Sequence, residues 1–236
     1  MIKIVSFKIC PFVQRVTAML EAKNMAYEIE YIDLKNKPDW FLEVSPVGQV
    51  PVLIAADGTA LFESDAIVEY IDEIAPPLLE DLSAEERAVN RAWSYLASKH
   101  YLVQCSTMQA PDKNVLDERV AKLGKSFARA ENRLGHGPYF AGDRLGNVDM
   151  AWLPLLHRAS IVEQVSGYDM LSAFPKVKAW QRVLMNTGIP EKSVPGDFVR
   201  KFSDFYLSDR TWLGRGANEN ERPPEAPSGN AGGGCG

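Results

Sequence analysis

The chain has 236 residues, a formal net charge of −5, 46% apolar and 24% charged residues. That is the balance of a globular chain able to bury a core in one large or two small domains. No long block of basic residues points to a nucleic-acid or anionic-membrane surface. No apolar run approaches the roughly 18 residues of a membrane helix, and the N-terminus lacks the charged-then-apolar pattern of a secretion signal. Three scattered cysteines, Cys10, Cys105 and Cys235, make no disulfide framework and indicate a reducing compartment, the cytoplasm by default.

Ile2-Lys3-Ile4-Val5 is short and β-branched and predicts a strand that runs into the Cys10-Pro11 step. Val13, Val16 and Leu20 then recur at one helix-face spacing. Tyr27–Ile32 mostly alternates and predicts a half-buried strand. Pro51–Ile54 is a third strand, and the turn Asp57-Gly58-Thr59 returns the chain through Ala60-Leu61-Phe62 as its hairpin partner. Ser64 is placed to cap a helix with Ile67, Tyr70, Ile71 and Ile74 on its core face. With a short helix between the second and third strands, residues 1–75 predict a helix-covered sheet of thioredoxin size, an α/β unit.

Ala75-Pro76-Pro77 ends the last of these helices, since proline lacks an amide donor and restrains its predecessor. Residues 76–82 are a linker. From Ser83 the pattern is all-helical, opening with the capping box Ser83-Ala84-Glu85-Glu86 and a core face of Val89, Trp93, Leu96 and Ala97. Further helices are expected over 116–134, 148–165, 174–186 and 198–207, so that 83–213 is an all-α domain. Residues 214–236, rich in Gly, Pro, Asn and Glu, predict a disordered tail.

Cys10 follows a strand, and Pro11 occupies the first helical turn, where its missing N–H costs nothing. The sulfur therefore faces free amides and the positive end of a helix dipole. Both favour thiolate, and a pKa below the ordinary value of about 8.5 is expected. Val13 stands where a redox C-x-x-C motif would carry its second cysteine. A mixed disulfide on Cys10 would then be resolved by an outside small thiol such as glutathione.

Cys10-Pro11-Phe12, Gly48-Gln49-Val50-Pro51-Val52-Leu53 and Phe62-Glu63-Ser64 together resemble the glutathione site of cytosolic glutathione transferases. The thiol is most similar to the omega class and to plant dehydroascorbate reductases. The resemblance covers about residues 1–208 and implies a thioredoxin-like domain followed by an all-helical one, typically in a homodimer, with glutathione as co-substrate. It implies a cis Pro51 that presents the Val50 backbone to the cysteinyl part of glutathione. Glu63 and Ser64 would hold the γ-glutamyl end, and Lys37 the glycyl carboxylate. Phe12 would wall the sulfur pocket, although core packing explains it nearly as well. One departure is Gly146 at a helix cap where the family carries serine or threonine, three residues before the retained Asp149.

His100, His136 and His157 have no ligand spacing, so no metal is expected, and His157 reads as a hydrogen-bonded core residue. Asp65, Glu69, Asp72 and Glu73 read as a solvated helix face. Tyr101, Cys105 and Met108 form one helical stripe and are candidates for an acceptor pocket, packing being the commoner cause of such a stripe. The expected activity is glutathione-dependent thiol transfer of dehydroascorbate-reductase type through a Cys10 mixed disulfide. The alternatives are conjugation of glutathione to electrophiles and a non-catalytic regulatory protein using the same fold.

Overall fold

The computed structural model describes residues 1–216. Its first unit is a four-stranded sheet in the order β2-β1-β3-β4, built from β1 (Ile2–Ser6), β2 (Tyr27–Tyr31), β3 (Val52–Ile54) and β4 (Ala60–Phe62). The central strand β1 is buried along nearly its whole length, which accounts for its apolar run. The edge strand β2 alternates, and its Glu30 takes the ammonium of Lys3 at 2.7 Å. Helix α1 (Pro11–Ala22) makes the crossover that a parallel β1–β2 pair requires. Between β3 and β4 the turn closes as expected: Thr59 N–H donates to Asp57 Oδ1 at 2.9 Å, and Gly58 has a φ of 90°.

Helix α2 (Asp39–Val44) precedes β3, and α3 (Ser64–Ile74) follows β4. Ser64 is not the cap of α3 but its first residue; the cap position is Glu63, at a φ of 65°. Ile74 is exposed because it ends the helix, past the last turn that packs on the sheet.

Among the described residues no strand follows β4, and the remainder is helical: α4 (Ala84–Met108), α5 (Lys113–Arg133), α6 (Asn147–Ser166), α7 (Pro175–Met185), α8 (Ile189–Lys192) and α9 (Phe198–Tyr206). The capping box at Ser83 forms in both directions, Glu86 N–H to Ser83 Oγ and Ser83 N–H to Glu86 Oε2. Val89 is exposed rather than buried, because burial on the 25-residue α4 begins only at Ser94 and the first turns overhang the core. Helix α6 is buried almost all round and touches both α4 and α1.

Gly146 caps α6 through its own N–H, which donates to Asp149 Oδ2 at 2.7 Å. A Cβ there would lie 2.6 Å from Cδ1 of Leu79. The linker leucine, itself buried, therefore occupies the space a serine would need. Of the tail expected over 214–236, residues 214–216 are described, and they are ordered by turn and backbone contacts. Leu213–Arg215 form a 3-10 turn, and Trp212 N–H donates to the Ala110 carbonyl at the end of α4. Residues 217–236, with Cys235, lie outside the described residues.

The acidic face of α3 is not merely solvated. Asp65 pairs with Arg15, Glu69 with Arg91 at 2.7 Å, and Asp72 with Lys23 at 2.8 Å, while Asn147 donates to Asp72 Oδ2. Three carboxylates of one helix thus tie it to α1, α4 and α6. A regular face that meets cations on several neighbours looks the same in sequence as one that meets water.

Candidate active site

Strand register brings the expected residues to one end of the sheet. Ser6 pairs with Tyr31, Val5 with Val52, and Val52 with Phe62. The chain therefore leaves β1 toward Cys10, leaves β2 toward Lys37, enters β3 from Val50-Pro51 and leaves β4 into Glu63-Ser64 at the same edge. The Val50–Pro51 peptide is cis. Ser45 pins the preceding loop, its Oγ donating to the Gln49 carbonyl and accepting from the Gln49 N–H, both at 3.0 Å. No described backbone hydrogen bond uses the N–H or C=O of Val50. Glu63 is exposed, and Ser64 is buried in the first turn of α3. Lys37 lies over Gly48, its Nζ 3.4 Å from where a Cβ would be.

Cys10 is the N-cap of α1, with extended backbone (φ −73°, ψ 124°) and Pro11 in the first helical position. The backbone N–H groups of Val13 and Phe12 lower the pKa of this half-buried residue without a formed cap hydrogen bond to its sulfur, but burial acts more strongly and pushes the thiol up to about 12. The expected depression of the Cys10 pKa is thereby overturned. Helix position alone reveals the amides and the dipole; it does not reveal how much apolar surface closes over the sulfur, which costs the charged form its hydration. Phe12, two residues further along α1, meets Tyr101 of α4 edge-on, ring centroids 5.1 Å apart.

The stripe on α4 is packed. Tyr101 and Met108 are fully buried and Cys105 nearly so. The Tyr101 hydroxyl donates to the Ala151 carbonyl of α6. These three form the floor between α1, α4 and α6 rather than an open wall. Cys10 and Cys105 are both thiols with no disulfide between them.

A buried polar network behind Cys10 was not anticipated beyond His157. The Gln14 amide is used at both ends: its oxygen accepts from Arg158, and its nitrogen donates to His157 Nδ1 at 2.8 Å and Ser193 Oγ at 3.3 Å. Arg158 also donates to the Ile9 carbonyl at 3.1 Å. Burial, with Arg158 second, lowers His157 to about 3, so the ring is neutral. The available signal was a guanidinium inside the apolar run Trp152–Ala159, where a charge is rarely found unless something meets it.

No group of three or more His, Cys, Asp or Glu side chains among the described residues is arranged to hold a metal. No described helix is long and apolar enough to cross a membrane.

A cysteine-bearing thioredoxin-like sheet joined to an all-helical unit defines the class to which this architecture belongs. Residues 9–74 match the family model of the glutathione S-transferase N-terminal domain, and residues 95–187 that of its C-terminal domain. The chain is 31% identical to the probable glutathione S-transferase DHAR1, cytosolic, of Oryza sativa subsp. japonica, over 75% of this chain and 80% of that protein. It is 29% identical to glutathione S-transferase omega-1 of Sus scrofa, over 89% and 87%. Among solved structures, glutathione transferase Omega 3C from Trametes versicolor superposes with a TM-score of 0.71 at 25% identity, covering 81% of this chain and 88% of that one. Rice GST1 (OsGSTU1), solved in complex with glutathione, gives 0.73 at 27% identity, covering 87% and 98%. The chain belongs to the glutathione S-transferase family, and it is an enzyme of that family.

Proposed function

We propose that the chain is a glutathione-dependent thiol transferase of dehydroascorbate-reductase type, working through a mixed disulfide on Cys10. The observation that carries this reading is the Cys10 sulfur itself, held at the start of α1 under the Phe12 and Val13 amides. It stands at the same sheet edge as Val50, Glu63 and Ser64. In the first step the Cys10 thiol loses its proton and the sulfur attacks the glutathionyl sulfur of a mixed disulfide. A Cys10–glutathione bond forms, the other sulfur–sulfur bond breaks, and the departing thiolate takes up a proton. A second glutathione thiolate then attacks the glutathionyl sulfur on Cys10, returning the Cys10 thiol and releasing oxidised glutathione. With dehydroascorbate as acceptor, two glutathione molecules supply the two electrons and two protons that make ascorbate.

Glutathione would lie along the edge opened at Val50, pairing backbone to backbone. Its γ-glutamyl ammonium would meet Glu63, and the α-carboxylate would meet the Ser64 hydroxyl and the first amides of α3. Lys37 is assigned to the glycyl carboxylate and Phe12 to the wall beside the sulfur. The cytoplasm and a homodimer belong to the same reading.

One observation favours a second reading. A thiol raised to about 12 is protonated at neutral pH and is a weak hydrogen-bond donor, able to support the thiolate of glutathione during conjugation to an electrophile. The variant Cys10→Ser separates the two. Assayed with a glutathione mixed disulfide and with an electrophile, it is expected to lose thiol transfer and to retain or increase conjugation. Unchanged thiol transfer overturns the proposal.

A further inference from the structure

Three cations flank the Cys10 end of α1, and two of them are neutralised. Arg15 pairs with Asp65, and Lys8 pairs with Asp197 at 2.9 Å. Arg158 differs. It is completely buried, and no carboxylate among the described residues lies within ion-pair distance of it. Its partners are neutral: the Gln14 amide oxygen, the Pro154 carbonyl at 3.1 Å and the Ile9 carbonyl at 3.1 Å, with the Phe198 ring 5.4 Å from the guanidinium carbon. Its Nε is buried with no hydrogen-bond partner. A buried guanidinium without an anion carries a desolvation cost that neutral acceptors only partly offset.

The Ile9 carbonyl belongs to the peptide that ends at Cys10. Standard peptide dimensions place the cation within about 6 Å of the Cys10 Cα. The titratable groups around Cys10 from the other packed elements are Tyr101 and Cys105 on α4, and Lys8 and Tyr31, which line one cavity with it on the sheet side, with Tyr206 of α9 close to Arg158. None of these is a carboxylate. The ionisable groups coupled to Arg158 are Cys105, Tyr206, Cys10 and Tyr101, and among them Cys10 is the one whose anion the proposed chemistry uses, with Arg158 as the cation that favours it.

We propose that Arg158 is the built-in counter-charge of the Cys10 thiolate, a positioning residue that acts on the nucleophile from behind, through the interior of α6, and never touches substrate. The inference rests on Cys10 as the reacting sulfur. It assigns to one side chain the task of offsetting the burial that opposes ionisation. A charge about 6–8 Å away in an effective dielectric near 20 shifts a pKa by about one to two units.

Alkylation of Cys10 by iodoacetamide, followed peptide by peptide by mass spectrometry between pH 7.5 and 9.5, reads this directly. The reagent is neutral, so the guanidinium does not steer it. Each unit added to the pKa slows the reaction about three- to fourfold, because the scarcer thiolate is also the better nucleophile. Arg158→Met and Arg158→Gln are therefore expected to alkylate about three- to fifteenfold more slowly, on a parallel pH line. Arg158→Lys, which keeps the charge, stays near the wild-type rate.

A role confined to packing gives the opposite sign, since loosening the site exposes Cys10 and speeds alkylation. Equal or faster alkylation in a neutral variant that retains a cooperative thermal transition overturns the proposal. Arg158→Gln keeps a donor within the network and serves if the methionine variant does not fold. The readout needs no glutathione. Should glutathione fail to attach to Cys10, the thiol-transfer reading falls while the Arg158 effect remains measurable.

Discussion

At Cys10 two opposing effects meet, and their sizes decide the chemistry. The amides of Val13 and Phe12 favour the thiolate, and burial disfavours it more. The logarithm of the alkylation rate is therefore expected to climb with pH past 9 without levelling, and a plateau near neutrality contradicts this balance. The same weighing applies to Arg15, whose side chain is 2% exposed while that of its partner Asp65 is 41% exposed. Asp65→Asn leaves a buried guanidinium beside a half-exposed neutral group. The expected loss is about 2 kcal/mol in urea unfolding, between the values for surface and interior pairs. Gly146 supplies a third case. A serine there adds a cap worth a few tenths of a kcal/mol over glycine, but its Cβ must displace Leu79. Overpacking of that kind costs about 1 kcal/mol or more, so Gly146→Ser is expected to lower the thermal midpoint rather than raise it.

Among the elements, α6 joins the two units, because its Arg158 and His157 hold Gln14 on α1. His157 is kept neutral at about 3, against an ordinary 6.5. The unfolded chain thus binds a proton that the native fold excludes, and the stability this residue supports is present above pH 6.5 and lost as pH falls toward 3. Wild type is expected to lose stability relative to His157→Gln between pH 6.5 and 4.5 in urea titrations; parallel curves contradict the assignment. Helix α6 also marks what sequence reading could reach. Period and caps located it within a residue or so and made His157 a core group, because local pattern encodes such features. Two partners of Arg158, Gln14 and Ile9, lie 144 and 149 positions away in the chain, and no local pattern encodes them. Val89 and Ile74 failed for a related reason: helical period names a face, and the length of the neighbouring elements decides how much of that face is covered.

For the whole molecule, the register Val5–Val52–Phe62 is what turns separate stretches of chain into one site. The motifs were legible because each pairs a turn or helix start with a chemistry-bearing side chain. The strand order placed them together, and the sequence alone supplied that only through its likeness to a family. What the motifs could not convey was the desolvation of the thiol at the half-buried Cys10. The acidic seam of α3 was missed likewise, its cations arriving from α1 and α4. The proposed thiol transfer requires the Cys10 sulfur to be the atom that carries the glutathionyl group. Intact-protein and peptide mass spectrometry after exposure to oxidised glutathione, for wild type and Cys10→Ala, tests it most directly. One reducible glutathione on the Cys10 peptide of wild type and none on the corresponding peptide of the variant is the predicted result, with thiol transfer lost in the variant. A wild-type Cys10 that stays unmodified while thiol transfer proceeds contradicts it.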